Sequence, residues 1–226
     1  MPFAALGLDP KILLAVREAG YTEPTPIQTA AIPAVLSGGD VIGIAQTGTG
    51  KTAAFTLPIL TRMAGVPAGR NGTQTLILAP TRELVVQIQE NVATYAKHLH
   101  LRMATVFGGV GERPQIDALR NGVDIIIACP GRLLDLMRQK HGDFSRLQHL
   151  VLDEADRMLD MGFLPSIRDV IRRLPKKRQT LMFSATLSCS VLVPTATDVI
   201  KTSRMMIFRY SIGFVPALRK TSVASG

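Results

Sequence analysis

The chain has no tryptophan, and aromatic residues make up only 5% of it. It has two cysteines, Cys129 and Cys189, too few for a disulfide framework. Its four histidines and two cysteines fall at no metal-ligand spacing, which argues against zinc. No apolar run approaches the roughly 20 residues of a membrane helix. The first residues do not follow a signal-peptide pattern. There is no internal repeat and no low-complexity tract. These absences point away from a secreted scaffold, a zinc protein and a membrane protein, and make the cytoplasm the expected location. The 226 residues suit one domain with a real core. A net charge of +9 suits a polyanionic partner.

What is present is ordered. Apolar stretches of strand type fall at about 40–44, 75–79, 103–107, 123–128, 149–152 and 179–183, alternating with helical stretches. That pattern predicts an α/β domain with a parallel sheet and helices on both faces, whose ligands bind beyond the carboxyl ends of the strands. Asp9 and Pro10 read as the cap and first residue of a helix reaching Ala19. Residues 66–72 read as a flexible surface loop.

After the first strand comes Ala45-Gln46-Thr47-Gly48-Thr49-Gly50-Lys51-Thr52. A strand, a glycine-rich loop and a helix start aim backbone N–H groups at one point, which suits phosphate. Gly48 and Gly50 allow the backbone to turn and approach closely. Lys51 suits β- and γ-phosphates, and the Thr52 hydroxyl suits Mg²⁺. Ala45 stands where such loops usually begin with glycine. About a hundred residues on, Asp153-Glu154-Ala155-Asp156 follows the apolar run Leu150-Val151-Leu152. Asp153 can hold Mg²⁺ through its waters, and Glu154 can orient or deprotonate an attacking water. The plain alternative is a charged helix start. Together the two segments describe a site for a Mg-nucleoside triphosphate.

Seven elements in order resemble the first RecA-like domain of a DEAD-box ATP-dependent RNA helicase, most closely the bacterial RhlE type. They are Gly20–Gln28 (the Q motif, with Phe3 upstream), Ala45–Thr52, Pro80-Thr81-Arg82, Gly108-Gly109, Pro130-Gly131-Arg132, Asp153–Asp156 and Ser184-Ala185-Thr186. The resemblance covers residues 1–188 and implies a RecA-like P-loop NTPase fold, ATP and Mg²⁺ as cofactors, and RNA, single-stranded or duplex, as a sequence-independent partner. It implies adenine contacts from Gln28 and Tyr21, with a core aromatic as the lesser alternative for Tyr21. Phe3 is expected to pack the Q segment. Phosphate contacts fall to Thr47, Gly48, Thr49, Gly50, Lys51 and Thr52, and catalysis to Lys51, Asp153 and Glu154. Thr52 and Asp153 serve the metal.

The same resemblance places an RNA backbone against Pro80, Thr81, Arg82, Gly108, Gly109, Pro130, Gly131 and Arg132. Each of these segments also reads as a cap or a turn. Cys129 departs from the family, which has threonine there, and a thiol is the poorer donor to phosphate. Ser184 and Thr186 are implied to couple the two sites by bonding the carboxylates, Asp156 included.

After Ser188 the likeness stops. Residues 1–188 carry 21 basic and 16 acidic side chains, and residues 189–226 carry 5 and 1. Residues 189–226 are expected to be a foreign or out-of-frame extension, poorly ordered, without a second RecA-like domain. From residues alone, a non-catalytic ATP- and RNA-binding module and an unrelated P-loop enzyme acting on DNA or protein stay open. RNA target, pathway and protein partners are not legible.

Overall fold

In the computed structural model, residues 2–65, 72–186 and 205–209 are described. The strands are β1 (Asp40–Ile44), β2 (Thr75–Leu78), β3 (Met103–Val106), β4 (Ile125–Ala128), β5 (His149–Leu152), β6 (Gln179–Ser184) and β7 (Met205–Arg209). The helices are α1 (Pro10–Glu18), α2 (Pro26–Leu36), α3 (Lys51–Met63), α4 (Arg82–Tyr95), α5 (Arg113–Arg120), α6 (Pro130–Arg138), α7 (Ala155–Asp160) and α8 (Leu164–Arg172). The strands form one sheet in the order β3-β4-β2-β5-β6-β1-β7, parallel throughout.

The apolar runs become strands because a parallel sheet covered on both faces buries every residue of its inner strands. β2, β4, β5 and β6 are buried along their whole length. Successive strand residues point to opposite faces. Ile77, Ile127, Val151 and Leu181 enter one core with α1, α2, α3 and α4. Leu76, Ile126, Leu150 and Met182 enter the other with α5, α6, α7 and α8. Gly43 leaves room for Phe183, its register partner on β6, since a Cβ there would come within 2.5 Å of that ring.

The local signals at the start of the chain act as read. Asp9 caps α1 by accepting from the Lys11 N–H at 2.8 Å, with Pro10 in the first position. Phe3 is buried in the core that also holds Ile27.

The last strand corrects one expectation. Met205–Arg209, within the segment expected to be disordered, pairs in parallel with β1 from Asp40↔Met205 to Ile44↔Arg209. Met206 and Phe208 pack against the first core. The signal was the apolar run Met205–Phe208, as strand-like as those upstream. The rest of that tail lies outside the described residues, as do Cys189 and residues 66–71 of the expected loop.

Candidate nucleotide site and nucleic-acid interface

All seven strands run the same way, so the sequence elements collect at one edge, and the strand order sorts them. P-loop, Ser184–Thr186 and Asp153–Asp156 follow β1, β6 and β5, which are adjacent. Arg82, Arg132 and Gly108-Gly109 follow β2, β4 and β3, also adjacent. One half of the edge therefore holds the phosphate and carboxylate chemistry, and the other half holds the segments assigned to a nucleic-acid backbone.

In the first half, Gly48 and Gly50 have φ of +80° and +87°, the region that favours glycine. Gly50 is the residue before α3, and Lys51 opens the helix. Thr47 is exposed and Thr49 is partly buried, its hydroxyl donating to the Gln46 carbonyl at 2.7 Å. Lys51 is 7% exposed and donates to the Ala45 carbonyl. Burial pushes its pKa down, and the Asp153, Glu154 and Asp156 carboxylates partly offset this. Thr52, partly buried, lies in the first turn of α3.

Asp153 is 2% exposed. Burial raises its carboxyl to about 6, against the pull of the Lys51 ammonium and the Glu154 N–H bond to Oδ1. Glu154 precedes α7 with φ +49°, a left-handed conformation uncommon outside glycine. Such a position stores about 1–3 kcal/mol of strain and persists where the surroundings impose it. Its carboxylate meets Arg157 at 3.3 Å.

Asp156 ties the carboxylate segment to the segment that follows β6. Its Oδ2 accepts from the Ala185 N–H at 3.2 Å, the Thr186 N–H at 2.9 Å and the Thr186 hydroxyl at 2.8 Å. Burial opposes its charge, but the Thr186 bonds prevail and hold it below its ordinary pKa. Ser184 also helps hold the Asp156 carboxylate ionised. Its hydroxyl donates to the Thr186 carbonyl at 2.7 Å and shapes the turn that brings Thr186 to the carboxylate.

Gln28 is more occupied than its sequence reading implied. It is 3% exposed. Its Oε1 accepts from the Thr25 N–H at 2.9 Å, closing a capping box on α2, and its Nε2 donates to the Gly50 carbonyl at 3.1 Å. The amide retains one hydrogen and one lone pair beyond those bonds. Tyr21 is 45% exposed, which rules against a simple core role. Its ring meets Tyr95 edge-on at 6.1 Å.

In the second half, Pro80 is buried, Thr81 caps α4 by accepting from the Leu84 N–H at 3.3 Å, and Arg82 is exposed. The Arg82 guanidinium lies 5.1 Å from the Phe107 ring centroid, which pre-positions it. Gly108 and Gly109 are exposed, and a Cβ on either would meet nothing within 4 Å. Only Gly109, at φ +79°, needs glycine for its backbone. Pro130 is buried and Gly131 partly buried at the start of α6, and Arg132 donates to the Val110 carbonyl at 3.3 Å. The backbone segments are thus tied to each other.

Sequence reasoning missed Gln115. It is 8% exposed, and its amide accepts from the Phe107 N–H and donates to the carbonyls of Phe107 and Gly111. It clamps the glycine turn. Only its place on the apolar side of α5, beside Ile116 and Leu119, hinted at burial. Cys129 precedes α6 and makes no side-chain cap bond. Burial, with the Glu83 carboxylate, pushes its thiol up to about 11, so it stays protonated at neutral pH.

A parallel α/β sheet, a P-loop on its penultimate strand and paired carboxylates two strands away define a RecA-like P-loop NTPase domain. Comparison with known proteins agrees. The family model for DEAD/DEAH box helicase matches residues 25–193. The chain belongs to the DEAD/DEAH box helicase family. It is 50% identical over 177 residues to DEAD-box ATP-dependent RNA helicase 30 of Arabidopsis thaliana, covering 77% of this chain and 30% of that protein. It is 47% identical over 187 residues to ATP-dependent RNA helicase CshA of Limosilactobacillus reuteri, covering 83% and 37%. The crystal structure of a DEAD box protein from Methanococcus jannaschii superposes with a TM-score of 0.85 at 33% identity, over 94% of this chain and 56% of that one. The chain thus spans about a third of these two curated relatives.

Proposed function

We propose that this chain binds Mg-ATP at the β1–β6–β5 half of the edge and the backbone of single-stranded RNA at the β2–β4–β3 half, as the nucleotide-binding part of an ATP-dependent RNA helicase. The observation that carries this is the segregation of the two sets of residues on adjacent strands of one edge.

The donor set fits a magnesium nucleotide. Asp153 is a buried carboxylate whose charge burial disfavours, so a cation nearby would stabilise it. Thr52 offers a hydroxyl at the head of α3. Mg²⁺ would neutralise charge on the β- and γ-phosphates. Lys51 would exchange the Ala45 carbonyl for phosphate. Glu154, held in its strained conformation, would orient the attacking water. Tyr21 and the residual donor and acceptor of Gln28 would address adenine. Asp156 and Thr186 link the carboxylate segment to β6. Arg82 and Arg132 would hold phosphates, and exposed Gly108-Gly109 would let the backbone approach, which makes binding blind to sequence.

The deciding measurement is single-turnover hydrolysis of Mg-ATP by residues 1–226, with and without RNA. We expect binding, slow turnover and little stimulation by RNA, because the P-loop and carboxylate motifs within these residues include no arginine placed opposite the γ-phosphate. An arginine finger contributes on the order of 10³–10⁵ in rate. Strong RNA stimulation would refute this division of labour. Failure to bind Mg-ATP would refute the nucleotide site itself.

A further inference from the structure

We infer that the far ends of α6 and α8 form a second nucleic-acid contact, which takes the sugar–phosphate backbone of RNA extending beyond the strand bound at the motif edge. This rests on the RNA reading proposed above.

Residues 130–140 and 164–178 hold nine lysines and arginines against two aspartates, Asp135 and Asp169, in a chain whose total is +9. α6 and α8 pack against each other, and Arg138 reaches Asp169 across them at 3.2 Å. Asp169 also pairs with Arg172 at 3.1 Å, so its charge is already shared by two arginines. Arg138, Lys140, Arg172, Arg173, Lys176 and Lys177 are all exposed. No ion pair among the described residues engages Lys140, Lys176 or Lys177.

The ordinary explanation for basic residues here is the helix dipole, which favours cations in a last turn. It accounts for Arg138 and Arg172. Arg173 likewise caps α8, donating to the Asp169 carbonyl at 2.7 Å, but neither effect accounts for Lys140, Lys176 and Lys177, which lie past the helices. Lys140 has φ +62°, where glycine is the usual residue after a helix. A side chain there is strained, because its Cβ crowds the following carbonyl.

Position selects the partner. Arg132 opens α6 at the motif edge and Arg138 closes it, so the helix carries positive charge about 9 Å along its axis at 1.5 Å per residue. A strand leaving the edge along α6 meets Arg138 and Lys140, then the α8 turn. Residues 130–140 and 164–178 expose charge and no large apolar side chain, which suits phosphate better than a protein hot spot.

The test is fluorescence anisotropy of the whole chain with labelled oligo(U) of about 8 and about 30 nucleotides, from roughly 50 to 200 mM salt. The variant is Arg173→Gln/Lys176→Gln/Lys177→Gln, on an exposed turn, with its melting curve checked. We expect about tenfold weaker binding of the long RNA, a salt slope smaller by about 2 (roughly 0.7 for each of three phosphates), and less than twofold change for the short RNA. An unchanged long-RNA affinity, or equal loss at both lengths, would overturn the proposal. So would polyglutamate of equal charge competing as well as RNA. Arg82→Ala/Arg132→Ala reads the edge separately. If it leaves short-RNA binding intact, the edge assignment fails, while the long-RNA loss in the turn variant still supports the α6–α8 surface.

Discussion

Gln28 donates through Nε2 to the Gly50 carbonyl at 3.1 Å, and a Cβ on Gly50 would lie 2.3 Å from that nitrogen. The Q segment and the P-loop are thus a single construction, closed by a glycine that leaves room for a glutamine. Gly50→Ala meets this clash and a φ of +87° together. We expect about 1–3 kcal/mol of destabilisation in urea and at least tenfold weaker ADP binding by calorimetry. A variant of unchanged stability and affinity would show that the Gln28 bond is dispensable.

Lys51 is buried with a lowered pKa and one carbonyl partner. Lys51→Ala removes a charge that burial disfavours. The expected result is a melting temperature within a few degrees of the parent without nucleotide, and loss of most ADP affinity. A large fall in melting temperature would instead make the lysine structural.

Asp156 takes three donors from Ala185 and Thr186. Bonds to a charged acceptor contribute about 1.5–3 kcal/mol in favourable cases, and less where water competes. Asp156→Ala should cost about 2 kcal/mol in chemical denaturation. Thr186→Val, which spares both backbone donors, should cost less than half of that. Equal losses would place the whole effect on the hydroxyl.

His149, at the far end of the sheet from the site, is 1% exposed, with the Gln179 side chain as its polar neighbour. Burial, then the Arg62 charge, pushes its pKa from 6.5 down to about 4. The folded state thus binds the proton less readily than the unfolded state. Its contribution is fully present above pH 6.5 and is lost as pH falls toward 4, on the order of 3 kcal/mol. His149→Leu should flatten the stability profile in that window relative to the parent. Parallel profiles would exclude the histidine as the cause.

Gln28 retains one donor and one acceptor, the pair that an adenine edge presents in complement. ADP should bind more tightly than GDP. Equal affinities in competition would remove Gln28 and its segment from base selection.

The strands were legible because a sheet covered on both faces demands unbroken apolar runs, and the motifs because a phosphate loop needs glycines and a lysine in fixed order. The strand order was not legible. Nothing in Leu181 or Met182 says that β6 inserts between β1 and β5, and that insertion brings Thr186 to Asp156. The Gln115 clamp was hidden because a glutamine on a helix ordinarily faces water. Gln28 was read for its ligand chemistry, while its backbone partners depend on a loop 22 residues away. Met205–Arg209 was passed over because no motif lay near it, although its hydropathy matched the strands already accepted.

The sheet order also sets a schedule for synthesis. β1 is the first strand to leave the ribosome, yet its only neighbours are β6 and β7, which begin at Gln179 and Met205. At roughly 5–20 residues per second, the Asp40–Ile44 segment waits on the order of ten seconds for a strand to pair with. During that interval β2, β4, β3 and β5 can assemble, while the first strand stands with its amides unmatched. The loop that follows β1 hangs from that late-closing seam, so a nascent chain can fix its position only after the strand beginning at Gln179 has been made.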